Sequence, residues 1–495
     1  MTFDHYTELA SGLKISRALT GLWQIADLER NGNKVDPQEA AKSMKAYVDA
    51  GLTTFDMADH YGSAEEITGE FRRMYGKDQG QFFTKWVPSP GPITKSQVRE
   101  AVQTALQRMN CKQIQLMQFH AWHYAHPSWV DCLFWLDELK QEGLIAHLGL
   151  TNFDTAHLRI AVKSGIQICS NQVCYSLLDQ RAAGEMTDFC LEHNIKLLAF
   201  GTVAGGFLSE KWLDKPEPIL GESLTWSQMK YKRYIDVAGG WQKFQQLLQT
   251  LSQIAQKHQT GIAMLASHYI MTRPAVGGVI IGARLGQSEH IKETQQLFEI
   301  DLDEKDLSQI GDSLASLNPI PGDCGDEYRK PPYLTATGDL SHHLDQIPAP
   351  YPNVKGSDGR IKALSGTIWE DIAGFSRAVR KGKRILVSGT TATHGIRAMG
   401  GNDPAAQADF ILDKIEGAIL SLGGRLEDVI RTRIYIRNAD QWEPISRAHG
   451  KRFGKIQPAN TMVRADLIGE EYLVEMEAEA MVLEGISETL STHKQ

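Results

Sequence analysis

The sequence predicts two unlike α/β domains: a (β/α)8 TIM barrel over residues 1–345 and a smaller α+β domain over 363–495, joined by a Pro/Gly stretch at 346–362. Three observations predict this division. Up to about residue 300, short apolar runs alternate with amphipathic helical stretches, and eight such repeats over this length suit a closed parallel barrel. Pro348, Pro350 and Pro352 then crowd together ahead of Gly356 and Gly359, a composition that reads as a stiff linker. Beyond residue 365 strictly alternating runs accompany long helical stretches, as in a sheet with helices on one face.

The barrel strands are expected, in order, in ALTGLWQI, TTFDMAD, QFFTKWV, IQLMQFH, AHLGLTNF, SNQVCYS, IKLLAFGTV and VGGVIIGA. Between them lie helical segments such as DPQEAAKSMKAYVDAG and HPSWVDCLFWLDELKQEG, each closed by a glycine (Gly51, Gly143) that can take the left-handed C-cap conformation. A doubly wound open sheet is the alternative, but no GxGxxG turn follows the first strand. In the second domain RILVSG, VIRTRIYIR, NTMVRADL and YLVEMEAEAMV read as strands. VIRTRIYIR sets Ile430, Thr432, Ile434 and Ile436 against Arg431, Arg433, Tyr435 and Arg437. The helix in DPAAQADFILDKIEGAILSLGG aligns Ile411, Ile415, Ile419 and Leu422 on one face, and a second helix is expected around QWEPISRAHGKRFG.

A net charge of −8 over 495 residues gives no support to a nucleic-acid or anionic-membrane partner, and points to small molecules or other copies of the chain. Six cysteines without a CxxC pair argue against a zinc module or a disulfide framework. Asp4 and Glu8 stand where a secretory leader would be basic, and no run of about 18 apolar residues appears, so a cytoplasmic protein is expected.

In a parallel barrel the inward residues at the C-terminal strand ends build the active site. Asp56, Lys85 and His120 fall at three successive strand ends, each in the inward register, and Tyr61 follows Asp56 in the next loop. This set suits reduction of a carbonyl. A phenol titrating near pH ~10 is a poor acid at neutral pH. A neighbouring Lys ammonium lowers that value, an Asp holds the Lys charged, and a His can orient the carbonyl oxygen. His120, His123 and His126 in HAWHYAH are spaced three apart, but on a strand end running into a loop this spacing does not gather imidazoles on one face, so no metal is expected. His123 and His126 read as rim residues that touch a substrate or the next helix.

TTFDMADHYG, FTKW, MQFHAWH, LGLTNF, NQVCYSLLD and VIIGAR together resemble, in order and spacing, the aldo-keto reductases over roughly residues 12–300. The resemblance implies an NAD(P)H-dependent carbonyl reductase with Tyr61 as general acid/base, Lys85 and Asp56 tuning it and His120 orienting the substrate. It also implies that Thr151, Asn152 and Gln172 hold the nicotinamide carboxamide, that Phe200 stacks on the nicotinamide ring, and that Trp23, Trp86 and Trp122 wall the substrate pocket. VAGGFLSEKW, which contains Leu208, resembles the family's pyrophosphate-clasping loop, and the resemblance implies that Leu208 helps to bind the cofactor. Gly282 and Arg284, in GARLGQSEHIKET, lie before a helix N-terminus that suits a phosphate, and Arg284 pairing with a 2′-phosphate favours NADPH over the alternative NADH. The tail to about 345 can fold over the site, and its Cys324, His342 and His343 are read as structural.

GFSRAVRKGKRILVSG, QADFILDKIEGAILSLGG, EDVIRTRIYI, HGKRFG, PANT and VEMEAEA resemble the Rid (YjgF-type) reactive-intermediate deaminases, whose fold is chorismate-mutase-like, over about 365–485. The resemblance implies a homotrimer with clefts between subunits and hydrolysis of imines or enamines. Glu475 matches the water-activating Glu, but Asn460 replaces the carboxylate-binding Arg and Phe375 a common Tyr. Asn carries no charge for the substrate carboxylate. The expectation is a carbonyl reductase fused to a domain that either processes an imine or serves as a trimerising, ligand-binding module. A barrel that senses NADPH without turnover is a third reading.

Overall fold

A computed structural model describes residues 4–29, 32–221, 224–287, 289–329 and 347–482. The hairpin β1 (Tyr6–Ala10) and β2 (Leu13–Ser16) comes first. Eight parallel strands follow: β3 (Ala18–Gly21), β4 (Thr54–Asp56), β5 (Gln81–Trp86), β6 (Ile114–Phe119), β7 (Ile145–Thr151), β8 (Ser170–Cys174), β9 (Lys196–Phe200) and β10 (Val276–Gly282). β10 pairs with β3 and closes the barrel, so every expected strand is present and the doubly wound sheet is not.

Helices α1 (Trp23–Glu29), α2 (Pro37–Asp49), α3 (Ala64–Tyr75), α4 (Lys95–Arg108), α5 (Ser128–Gln141), α6 (Thr155–Lys163) and α7 (Glu185–Glu192) connect the first strands. Three of them start on a side-chain cap: Asp36 accepts from the Gln38 N–H, Thr94 forms a capping box with Gln97, and Asp154 accepts from the His157 N–H. After β9 come α8 (Trp226–Val237), α9 (Gly240–Lys257), α10 (Ile262–Met271), and, beyond β10, α11 (Ile291–Gln296), α12 (Glu304–Ala315) and the single turn α13 (Asp326–Arg329). The β1–β2 hairpin was not foreseen. It plugs the N-terminal end of the barrel, where Leu9, Leu13 and Ile15 pack with Leu19, Phe83, Leu116 and Leu198.

The second domain contains β11 (Asn353–Lys355), β12 (Ile361–Ala363), α14 (Ile368–Ala373), β13 (Ala378–Lys381), β14 (Arg384–Thr391), the short ribbon β15 (Thr393–His394) and β16 (Arg397–Ala398), α15 (Pro404–Ser421), β17 (Val429–Ile436), α16 (Trp442–Phe453), β18 (Ala459–Arg464) and β19 (Val474–Met481). Seven of these strands form one sheet in the order β11-β12-β13-β14-β19-β17-β18, with α15 against β14 and β19. Part of the stretch read as a linker is therefore built into this sheet as β11, and Tyr351 is buried with its N–H bonded to Ser421 Oγ.

Two expectations need correction. Ile430 does not share the buried face of β17: the pairing slips between Val429 and Arg431, so Val429 takes the inward place and Ile430 is exposed. Nor is α15 a one-faced helix. Ile411, Ile415, Ile419 and Leu422 are buried as expected, but so are Asp409, Asp413 and Lys414, because the barrel covers the helix opposite the sheet.

Candidate active site

The strand ends of the barrel open into a cavity of about 810 Å³ lined by Trp23, Asp56, Tyr61, Lys85, His120 and Trp122, among others. In the barrel register Asp56 lies opposite Phe83, and Lys85, two residues farther along β5, opposite Gln118, so the inward side chains of β4, β5 and β6 meet on successive levels. Lys85 Nζ donates to Asp56 Oδ2 at 2.6 Å and to the Met57 carbonyl at 2.7 Å. The other Asp56 oxygen accepts from Gln118 at 3.0 Å and from Gln172 at 2.7 Å. Burial lowers the Lys85 pKa from its ordinary value while Asp56 opposes that shift. The Lys85 nitrogen stands 4.7 Å from the centroid of the Tyr61 ring, and Trp23 packs edge-on against the same ring at 5.0 Å.

His120 follows the last residue of β6 and is anchored by its N–H to the Trp86 carbonyl. Both its ring nitrogens are buried without a protein hydrogen-bond partner among the described residues; the Thr151 backbone favours the charged form but falls short of bond geometry. Burial, reinforced by the Arg329 charge, drives its pKa well below the ordinary value, so the ring is neutral at neutral pH. Trp122 meets it edge-on at 4.6 Å and is fixed by its indole N–H to the Pro88 carbonyl.

Thr151, Asn152, Gln172 and Phe200 line the next sector of the cavity, and Gly282 and Arg284 the sector beyond β10. Asn152 sits at φ 59, in the left-handed region that Asn tolerates, and its Oδ1 is buried without a partner. That orphaned acceptor, beside the Thr151 hydroxyl, fits the amide of a nicotinamide. The loop after β9 brings Gly201, Gly205 and Gly206 to the cavity wall, all at positive φ. A Cβ on Gly201 would meet Tyr231 Oη at 2.2 Å, so the loop is built for close approach.

Some expected residues lie elsewhere. Leu208 is wholly buried in the hydrophobic core and does not line the cavity. Trp86 points away from the barrel interior, against Phe119, because Lys85 beside it points in and side chains alternate along a strand. His123 and His126 also miss the cavity: His126 Nδ1 accepts from the Ser128 N–H at the start of α5, and His123 is half-buried, its pKa lowered to about 4 chiefly by desolvation. Among the described residues no cluster of His, Cys, Asp and Glu has the arrangement of a metal site, and all six cysteines are free thiols. His342 and His343 lie outside the described residues.

The sequence reading missed Lys230 and Tyr328, which close the cavity beside Phe200 and His120. It also missed Arg329. This side chain donates to the carbonyls of Ala121, next to His120, at 3.0 Å and of Asn152 at 2.6 Å. Nothing in GDCGDEYRK marks Tyr328 or Arg329, which the tail places by turning back across the barrel mouth, and Lys230 reaches the cavity from α8.

The second-domain residues are not gathered within one chain. Asn460, on β18, pairs across β17 at Thr432, donating to its hydroxyl at 2.9 Å, whereas Glu475 on β19 lies level with Tyr435, farther along. Phe375 precedes β13, with the Arg377 guanidinium 5.4 Å from its ring. Buried Arg377 donates to the Gly389 carbonyl and the Thr390 hydroxyl, and its charge opposes the rise that burial imposes on the Glu475 pKa. On the same face Arg433 pairs with Glu477, and Arg384 with Glu479, a ladder of opposite charges on neighbouring strands.

Residues 19–315 match the model of the aldo/keto reductase family, and residues 368–482 match that described as endoribonuclease L-PSP. An aldo-keto reductase of Bacillus subtilis, YhdN, is 25% identical over 349 residues, covering 66% of this chain and 98% of that protein. An uncharacterized protein of Streptomyces coelicolor is 37% identical over 125 residues, 25% of this chain and 93% of that one. A crystal structure from Mycobacterium tuberculosis, Rv2704 of the YjgF/YER057c/UK114 family, is 41% identical, covers 25% of this chain and 99% of its own, and superposes with a TM-score of 0.23. The chain belongs to the aldo/keto reductase family, oxidoreductases of small carbonyl compounds, and carries a Rid-type domain fused behind its barrel.

Proposed function

We propose that the barrel reduces an aldehyde or ketone with NADPH, with Tyr61 as the general acid. The observation that carries this reading is Lys85, buried between Asp56 and the Tyr61 ring at the floor of the cavity. A cation held there stabilises the phenolate that remains once Tyr61 has protonated the substrate oxygen. Asp56 fixes that cation, and Gln118 and Gln172 hold Asp56 in turn. The neutral His120 offers an unengaged ring N–H to the carbonyl oxygen and orients it beside Tyr61. Reduced nicotinamide, when bound, supplies the hydride. Thr151, Asn152 and Gln172 are suited to its carboxamide, Phe200 to its ring, and Gly282 and Arg284 to the phosphate end, with Arg284 favouring NADPH. Tyr61→Phe should abolish aldehyde-dependent NADPH oxidation; unchanged turnover would remove Tyr61 from the mechanism.

For the second domain the better-supported reading is a ligand-binding and trimerising module. Asn460 brings no charge for a substrate carboxylate and its amide is engaged by Thr432. The sheet face away from α15 exposes Leu386 with Arg431, Arg433, Glu477 and Glu479 around it, a surface with both apolar and paired charged groups for self-association. Sedimentation of the full chain as three copies supports this, and a monomer contradicts it. Imine hydrolysis through Glu475 is the second reading, favoured by the raised Glu475 pKa, which suits a general base. Ammonia release from an imino acid, lost in Glu475→Ala, would establish it. Free thiols throughout fit a cytoplasmic protein, and among the described residues no helix is long and apolar enough to cross a membrane.

A further inference from the structure

The loop that leaves β6 has His120 at its cavity end and runs away from the cavity to the second domain. Tyr124, four residues on, lies flat on His157, their ring centroids 3.3 Å apart and the planes 9° from parallel. His157 belongs to α6 and is held from both sides: Asp154 Oδ1 stands 2.6 Å from Nδ1, and Asp413 Oδ2, from α15 of the second domain, 2.9 Å from Nε2. All three side chains are buried. The other Asp413 oxygen accepts from Arg452, which also pairs with Glu416, so the carboxylate is fixed from behind. One residue past Tyr124, the Ala125 carbonyl faces Gly417 of α15 so closely that a Cβ there would lie 2.2 Å away.

Arg329 completes the connection. Its guanidinium lies 4.4 Å from the Tyr124 ring centroid while it donates to the carbonyls of Ala121 and Asn152. Arg329, Tyr124 and His157 thus link the His120 loop and the cavity-facing Asn152 to Asp413 of the second domain.

We infer that the second domain is a working part of the reductase site: Asp413, through His157 and Tyr124, is a positioning residue for the loop that sets His120. This rests on the reading of the barrel as a reductase in which His120 orients the carbonyl. An imidazole that must hold a substrate oxygen loses much of its effect when displaced by a fraction of an ångström. A short loop pinned at Ala121, Tyr124 and Ala125 resists that displacement, and two of the pins depend on α15 or on the His157 it fixes.

The test uses the full chain. Asp413→Asn should lower kcat for a test aldehyde about tenfold, a loss expected of a misplaced orienting group, while the NADPH dissociation constant from tryptophan-fluorescence titration stays nearly constant. Peptides covering 120–126 should exchange amide hydrogen faster in the cofactor-free variant. Tyr124→Leu should reproduce both effects, and Tyr124→Phe, which keeps the ring, should restore wild-type values. If Asp413→Asn and Tyr124→Leu lower only the melting temperature, leaving kcat and exchange at 120–126 unchanged, the interface is mere adhesion and the inference falls. Should Asp413→Asn fail to fold, the Tyr124 pair decides on the same readouts. Full activity in Tyr61→Phe would overturn the reductase mechanism instead, and exchange at 120–126 would still judge the coupling between domains.

Discussion

Lys85 Nζ lies 2.6 Å from Asp56 Oδ2, and neither side chain is more than 4% exposed. A charge pair this deep is costly to break from one side, because the surviving charge stays buried. Asp56→Asn should therefore destabilise the protein by about 3–5 kcal/mol and also remove most reductase activity. Lys85→Met should cost less stability, since Asp56 keeps Gln118 and Gln172 as donors, yet lose turnover at least as severely. Thermal unfolding measured beside kcat separates the two effects. Equal activity in wild type and Lys85→Met would break the proposed tuning of Tyr61.

Arg284 lines the cavity beyond β10 with Gly282. If it reads a 2′-phosphate, Arg284→Ala should weaken NADPH binding about ten- to hundredfold, the worth of a charge-assisted contact. NADH binding should barely change. Fluorescence titration with both cofactors checks this, and a parallel loss for both would assign Arg284 to another part of the cofactor.

The strand-end set was legible because two rules act together: alternation fixes which side chains face inward, and a parallel barrel gathers its C-terminal strand ends. The same alternation argues against Trp86 as a pocket wall, since Lys85 beside it is inward. Ile430 could not be placed from its pattern, because a bulge adds a residue without a sequence signature of its own. The burial of Asp409, Asp413 and Lys414 had a faint signal: Ala405, Ala406, Ala408 and Gly417 are small residues around a helix that also carries Ile411 and Ile415, as a helix wrapped on two sides requires. Arg329 had none. Its partners are the carbonyls of two loops that are far apart in sequence and meet only in the closed barrel.

Gly417→Ala sets two opposed effects against each other. Replacing a helical glycine gains up to about 1 kcal/mol of helix propensity. The new methyl would lie 2.2 Å from the Ala125 carbonyl, a backbone atom that cannot swing aside. Overpacking of this kind costs about 1–3 kcal/mol, so the clash should win. The expected outcome is a lower melting temperature and faster proteolytic cleavage between the domains. A rise in melting temperature would show that α15 and the β6 loop can separate without loss.

His157 gives the domain contact a pH dependence. Burial opposes its charged form, but Asp154 and Asp413 outweigh burial and raise its pKa to about 9. Asp154 is in turn held well below the ordinary carboxylate value, because the His157 charge and hydrogen bonds, with Arg329, overcome burial. Nearby Asp409 is pushed up to about 6 by burial, so it adds negative charge only above that pH. A histidine whose folded pKa exceeds its unfolded one contributes stability that is complete below about pH 6.5 and disappears as pH rises through about 9. That contribution is on the order of 3 kcal/mol. On the acid side, the Asp154 contribution is lost as pH falls below the ordinary carboxylate range. The gap in thermal midpoint between wild type and His157→Gln should accordingly be wide near pH 6 and narrow steadily toward pH 9.5. A gap that stays constant over that range would mean that His157 is neutral in the folded protein, and that Asp413 holds it through a hydrogen bond alone.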